Sequence, residues 1–458
     1  MFRKEIDSLG NVMVPSNAYY GAQTMRAIKN FPISGRRLQP SFIKSQGIIK
    51  KAAALANIKL EILDRGIGNA IVEAAEEVIQ GKFNDHFVLD VYQMGAGTSQ
   101  NMNANEVIAN RAIETLGGKK GDYSIVHPND HVNMAQSTND TIHGAINISA
   151  LLTIEDNLLP AIKRLQRVLG IKKSEFSTFV KIGRTHLQDA VPITLGQEFG
   201  AYEAAIDKSI DKINQSIVGL NQLNIGGTAV GSGINAHKQF SEFVISEINS
   251  ITKHKFIQTA NYFEMGQNTL EALELSGSLR YIAVVLGKIA SDLIFMSSGP
   301  RAGIGEITLP PVQPGSSIMP GKINPSMAEM LNMICHQVIG NDTTVASACR
   351  GAQMELNVNM PVIAWNILDS IEILGNGIRI FSKKCIEGIK SNAEHCKELA
   401  EMSTALVTAL SPKIGYTKAT ELAKEAYRTD KKIKDLAIEK GILSESEADE
   451  ILNPKNLV

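Results

Sequence analysis

The residues best suited to chemistry lie in the run GSSIMPGKINP, at 315–325. Ser316 and Ser317 stand side by side, Lys322 and Asn324 follow, Gly315 and Gly321 let the backbone bend, and Pro320 and Pro325 punctuate it. A plain turn needs glycine and proline but has no use for paired hydroxyls ahead of a lysine. The set suits a serine made basic by neighbouring positive charge, with the lysine holding a carboxylate. A phosphate-cradling loop of the form G-x-x-x-x-G-K-[ST] fails on spacing. Five residues separate Gly315 from Gly321, and Ile323 follows Lys322 where a hydroxyl is required. The prolines of the preceding LPPVQP also exclude a central strand.

Three further polar islands interrupt an otherwise helical pattern. MGAGTSQNMNANE, at 94–106, offers Thr98, Ser99 and Asn101 on a glycine-rich backbone. HPNDHVNMAQSTNDT, at 127–141, places Ser137, Thr138 and Asn139 just ahead of a helical run. Free backbone N–H groups at a helix start make an anion site there, and a plain N-cap is the structural alternative. GRTHLQDAVP, at 183–192, carries Thr185 and His186 before a long helix. Taken alone, such a histidine reads first as a structural residue. Glu329, on the helix expected after the 315–325 loop, is a carboxylate able to orient His186 for acid–base work.

Long helices must position these islands. Ile206, Ile210, Ile213, Ile217 and Leu220 step by four and three; so do Leu279, Ile282, Leu286, Ile289, Leu293 and Met296, and again Ala364, Ile367, Ile371, Leu374, Ile378 and Phe381. Pro192 and Pro361 are expected at helix starts, and Gly299-Pro300 is expected to stop the second seam. Seams of this length favour an elongated bundle able to continue across subunits. Shorter helical patterns at 38–60, 67–80 and 103–116 mark an N-terminal domain over 1–138. The bundle then occupies 139–391, and a small helical domain fills 392–458, with a turn at Ser411-Pro412 before an amphipathic helix.

At 458 residues, 44% hydrophobic content and a formal net charge of -1, the chain supports a large core and shows no basic surface for nucleic acid or anionic membranes. Its apolar runs are too short to span a bilayer, and its first residues lack a signal-peptide core. Cys335, Cys349, Cys385 and Cys396 fit neither a disulfide framework nor a CxxC metal site. A reduced, cytoplasmic protein is expected. No GxGxxG follows a strand, which argues against a nicotinamide domain.

Together the runs GSSIMPGKINP, NMNANEVIANRA, HPNDHVN with QSTND, GRTHLQDAVP with LGQEF, and YYGAQT at 19–24 resemble the fumarase/aspartase superfamily over nearly the full length. The resemblance implies a mainly α, three-domain fold and a homotetramer built on a long helical bundle, with active sites shared between subunits. It also implies Ser316 as the base, with Thr98, Ser137, Thr138 and Ser317 gripping the carboxylate where charge develops. Lys322 and Asn324 would hold the other carboxylate, Asn139, Thr185 and His186 would surround the amino group, and Glu329 would stand behind His186. Neither a cofactor nor a metal is called for.

Within that superfamily, Gly95-Ala96-Gly97-Thr98-Ser99, Gln267-Asn268-Thr269 and GNDTTV at 340–345 resemble the aspartase branch. They imply reversible deamination of L-aspartate to fumarate and ammonia, with hydration of fumarate to malate as the alternative. Lens proteins of related descent have lost catalysis, but Ser316, Lys322 and His186 are intact here. Three departures bear on substrate rather than fold: Thr141-Ile142-His143-Gly144 where an aromatic-Pro-Thr turn is usual, Ala328 in place of a frequent proline, and Arg350-Gly351-Ala352-Gln353. Of these, His143 is expected at the edge of the pocket.

Overall fold

A computed structural model describes all 458 residues, and helices dominate it. The chain packs as two compact units. The first comprises Met1–Leu159, Asp211–Tyr281 and His336–Leu374, the second Pro160–Ile210, Ile282–Cys335 and Gly375–Val458.

In the first unit, strands β1 (Phe2–Asp7) and β2 (Gly10–Pro15) form an antiparallel hairpin with Phe2 opposite Pro15. Val12 and Val14 point inward to Ala18 and Ala22, as the two-residue side-chain period of a strand requires. Helix α1 (Ala22–Asn30) follows, then α2 (Pro40–Lys59), α3 (Arg65–Ile79), α4 (Thr98–Thr115) and α5 (Thr138–Thr153). The three shorter helices expected from periodicity are therefore α2, α3 and α4. Proline opens α2, where its missing N–H costs nothing, and the Asp64 carboxylate caps α3 by accepting from Gly66 and Ile67 N–H. Ile71, Ala74, Val107, Ile108 and Ile113 bury a shared face of α3 and α4. Each large apolar side chain so buried contributes roughly 1.5–3 kcal/mol.

The second unit begins with most of α6 (Leu159–Glu175), followed by a hairpin of β3 (Val180–Thr185) and β4 (Gln188–Thr194). Pro192 lies inside β4 rather than at a helix start. A two-stranded hairpin has free edges, so a residue without an N–H is tolerated there. Helix α7 (Leu195–Ser216) instead starts after Thr194, whose hydroxyl accepts Gln197 N–H at 3.0 Å while Gln197 Oε1 accepts Thr194 N–H at 2.9 Å. That reciprocal cap supplies the start signal.

Helices α8 (Phe240–Thr252) and α9 (Tyr262–Gln267) lead to the long α10 (Leu270–Met296), α11 (Ser326–Arg350) and α12 (Met360–Lys384). Every residue of the α10 and α12 seams named above is buried. In the α7 run Ile206, Ile213 and Leu220 are buried, but Ile217 and Leu220 fall beyond the end of the helix. Pro361 sits second in α12, and α10 ends three residues before Gly299. The boundary between the units passes through α7, α10, α11 and α12, each contributing a segment to both. At the C-terminus the helices Ala393–Met402, Tyr416–Thr429, Ile433–Glu439 and Glu445–Ile451 belong to the second unit. A separate core of Leu406, Leu410, Leu422, Leu436, Leu443 and Leu452 holds the last of them together. No helix is long and apolar enough to cross a membrane.

The YYGAQT run shows how tightly the first unit is fitted. Two buried carboxylates receive the start of α1: Glu106 accepts N–H groups from Gly21, Gln23 and Thr24, and Glu5 accepts from Ala22. A Cβ on Gly21 would stand 2.2 Å from Tyr123 Oη and 2.6 Å from Glu5 Oε2. Gly21→Ala is therefore expected to lower unfolding free energy by about 1–3 kcal/mol through overpacking, read from the midpoint of urea unfolding. An unchanged midpoint would show that this corner can relax.

Candidate active site

In the first unit, the N-termini of α4 and α5 meet through side chains. Thr98 opens α4 after Ala96 and Gly97, both left-handed, with φ of 59° and 80°. A Cβ on Gly97 would press on Ile142 at 3.2 Å, so glycine permits both the turn and the close approach. Asn101, one turn into α4, donates from Nδ2 to Thr138 Oγ1 at 3.2 Å. Ser137 is the N-cap of α5, and its hydroxyl oxygen accepts Asn139 N–H at 3.2 Å. The N-cap reading of Ser137 thus holds alongside any role toward a ligand. Asn139 Nδ2 donates to Ala229 O at 2.7 Å, which leaves Oδ1 as its free acceptor.

Asp140 anchors this corner. Its Oδ1 accepts Ser137 N–H at 2.9 Å, and its Oδ2 accepts Gly226 and Thr228 N–H at 3.0 Å each. Burial pushes its carboxyl up to about 6, against the opposing pull of those N–H groups and of Lys50. Lys50 is itself buried, donating to Asn133 Oδ1 at 2.9 Å and Gln136 Oε1 at 3.0 Å. Burial drives its amine down to about 7, and the Asp140 charge resists.

The second unit holds the remaining candidates. Thr185 ends β3, and His186 and Leu187 make the two-residue turn of the hairpin with φ of 53° and 59°. Left-handed values at both positions define a turn that usually takes Asn-Gly, so histidine and leucine there carry strain of order 1–3 kcal/mol each. Both side chains are exposed. The hairpin is gripped from below by Glu306, which is fully buried. Its Oε1 accepts from Arg184 Nη1 at 2.8 Å, and its Oε2 lies 3.3 Å from Lys181 Nζ. The same residue's carbonyl accepts Asn392 N–H at 2.9 Å, and Ile307 pairs with Ser391. One carboxylate therefore ties the strand bearing Thr185 to the segment that leads into the 315–325 loop.

That loop closes on itself. Gly315 N–H donates to Lys322 O at 2.9 Å, and Asn324 Nδ2 donates to Gly315 O at 2.7 Å. A Cβ on Gly315 would come within 2.6 Å of Lys322 O, so only glycine fits. Inside the loop, Ser316 Oγ accepts the N–H groups of Ile318 at 3.2 Å and Met319 at 2.9 Å. Donors of this kind favour a negatively charged oxygen. Ser317 and Lys322 are exposed, and Glu329 is exposed on the first turn of α11. Within one chain no hydrogen bond or ion pair joins Glu329 to His186.

Two residues singled out in the sequence lie in the interior, the first of them against expectation. His143 is not at a pocket edge. It is 1% exposed, with Nε2 3.9 Å from Glu271 Oε2, because α5 is buried on all its faces from Asp140 to Leu151. Thr269, of the Gln267-Asn268-Thr269 run, is also buried: its hydroxyl donates to Cys349 Sγ at 3.0 Å and accepts from Asn357 Nδ2 at 3.1 Å.

The family pattern described as Lyase matches residues 10–340, and that of the Fumarase C C-terminus matches 406–458. The chain is 48% identical to an aspartate ammonia-lyase of Bacillus sp over 99% of this chain and 96% of that protein. It is 45% identical to a class II fumarate hydratase of Brucella suis biovar 1, over 100% and 98% respectively. Its backbone is similar to the crystal structure of a recombinant class II fumarase from Schistosoma mansoni, with a TM-score of 0.97 at 38% identity over 100% of this chain and 99% of that one.

Lys50, Glu306 and the loop around 224–238 lie outside the runs singled out above, and Asn133 and Asp140 lie within the 127–141 island with no role assigned to them there. Gly226, Gly227, Gly231 and Gly233 signalled close approach there, and Ala229 does meet Asn139. This loop, with His237, Lys238 and Tyr262, lines a cavity of ≈ 350 Å³. Lys50 and Glu306 gave no local signal, since burial of such groups is set by distant elements, whereas Asp140 follows Ser137 at the spacing of a capping box. Lys50 yields a pH test. A folded-state pKa near 7, below the ordinary 10.5, means the unfolded chain binds more protons between those values. Its contribution to stability is complete above the ordinary value and is lost as pH falls toward about 7. Against Lys50→Met, wild-type unfolding free energy should therefore gain with rising pH across about 7 to 10.5, measured by urea unfolding in stepped buffers. A difference independent of pH would show that Lys50 remains charged when folded.

Proposed function

Because the chain belongs to the fumarase/aspartase family of lyases, we propose that it catalyses the reversible deamination of L-aspartate to fumarate and ammonia. The observation that carries this reading is the Ser316 hydroxyl oxygen, held under two backbone N–H groups in a loop that also presents Lys322. A Cβ proton beside a carboxylate is very weakly acidic. Its removal needs a strong base and a site for the dianionic enediolate left behind. Ser316 as an alkoxide supplies the base, and its two N–H donors stabilise that alkoxide.

Thr98, Ser137, Thr138 and Ser317 take the β-carboxylate, where charge accumulates. Lys322 and Asn324 take the α-carboxylate. Asn139, Thr185 and His186 surround the amino group, with Glu329 behind His186. Asn139 suits that place, since its amide nitrogen is already engaged and its oxygen is left to accept from an ammonium. These residues come from distant parts of the chain, and the reading assigns each site to residues of several subunits of a homotetramer. Exposed Val284, Phe295, Met333 and Ile380 on the long helices support association through those helices. We read the protein as cytoplasmic, with three domains divided near residues 138 and 391.

Hydration of fumarate to malate is the second reading, favoured by the near-equal likeness to a class II fumarate hydratase. Gly95-Ala96-Gly97-Thr98-Ser99 and the 267–269 run support deamination instead. The two part in one assay, the ultraviolet absorbance of fumarate with L-aspartate or L-malate supplied separately. Fumarate with equal ammonia from aspartate, and little from malate, is expected. Strong malate turnover without ammonia release from aspartate would reverse the assignment.

A further inference from the structure

We infer that Asn101 is a positioning residue that fixes the direction of the Thr138 hydroxyl, so that its proton is offered to a bound carboxylate and not to the protein. The inference rests on the reading above, in which Thr138 belongs to the carboxylate site.

The direction follows from a chain of donors and acceptors whose ends are unambiguous. Gln136 Nε2 donates to the carbonyls of Val132 and Met134, both at 3.1 Å, so Gln136 presents Oε1 to Lys50. Asn133 Nδ2 donates to Gln136 O at 3.1 Å, so Asn133 presents Oδ1 inward. Lys50 Nζ donates to that oxygen at 2.9 Å, and Asn105 Nδ2 does so at 3.2 Å. The Asn101 atom that meets Asn133 Oδ1 at 3.1 Å must then be its nitrogen.

The same Asn101 nitrogen has a second hydrogen, and Thr138 Oγ1 accepts it at 3.2 Å. Thr138 is therefore an acceptor toward the protein. Its own proton has no protein acceptor and is free for a ligand at the start of α5. Thr138 and Asn101 are both buried, at 9% and 2% exposure, so water competes weakly for either group. Lys50 contributes by holding Asn133 with its oxygen inward. A hydroxyl turned the other way would meet a carboxylate with lone pairs, and charge building on that carboxylate would worsen the contact.

A double-mutant cycle separates direction from packing and from charge. Asn101→Asp replaces the donor with an acceptor, which would draw the Thr138 proton inward. With Thr138 present, this change is expected to lower kcat/KM for L-aspartate about 10- to 100-fold, kcat falling more than KM rises. In a Thr138→Val background the same change should cost less than about threefold, because no proton remains to misdirect. Equal losses in both backgrounds would mean that Asn101→Asp acts through charge or packing, and the inference would be overturned while the site stood. Thr138→Val alone is expected to weaken fumarate binding by calorimetry. If it leaves binding unchanged, the carboxylate site falls and the inference with it. Should Asn101→Asp fail to fold, Asn101→Ser repeats the cycle with a neutral side chain, checked by thermal unfolding. It should show smaller coupling of the same sign, and strict additivity would again overturn the inference.

Discussion

The Asp140 carboxylate is the interaction on which the candidate site in the first unit depends. One oxygen closes the start of α5, and the other holds the 226–228 backbone, so helix and loop are fixed by a single buried group. Ionising a carboxylate in the interior is costly, and three N–H donors with Lys50 nearby only partly offset the cost. What the arrangement provides is registry. Ser137, Thr138 and Asn139 sit on the turn that Asp140 caps, and Asn139 reaches the same loop through Ala229. In the second unit Glu306 has the same relation to β3, holding Arg184 beside Thr185 and His186. Both clusters of candidate residues are thus supported by buried carboxylates, the arrangement by which rigid elements hold neighbouring side chains within tenths of an ångström.

The two units supply different chemistry. Helix N-termini and hydroxyls in the first suit a carboxylate on which charge builds, because their donors are fixed in place beforehand. The 315–325 loop in the second is largely exposed, and it holds the Ser316 hydroxyl oxygen under two N–H groups in a run that also carries Lys322. His186 and Leu187, in the same unit, sit in a strained left-handed turn whose backbone sets the direction of their side chains.

Much of this was legible in the sequence because it is local. The α10 and α12 seams follow from spacing alone, and all their named residues are buried. The loop chemistry was visible because Ser316, Lys322 and Asn324 lie within one turn-rich run. Where the reading failed, a longer-range or competing local signal prevailed. Pro192 suggested a helix start, but the Thr194–Gln197 cap set the start after it, leaving proline in a strand edge. His143 looked like a pocket residue from its neighbours in the sequence, whereas α5 is enclosed on every side at that level. The network from Lys50 to Thr138 joins residues far apart in the chain, and no single-sequence pattern reveals which asparagine faces which oxygen.

At the centre of the account is Ser316 as the base that takes the Cβ proton. The most direct measurement is the turnover of Ser316→Ala with L-aspartate, taken alongside fumarate binding by the same protein. A fall in kcat of about 10²- to 10⁴-fold, the usual range for a positioned proton-transfer group, with fumarate still bound, is what the account predicts. Near-normal turnover by a protein lacking that hydroxyl would contradict it.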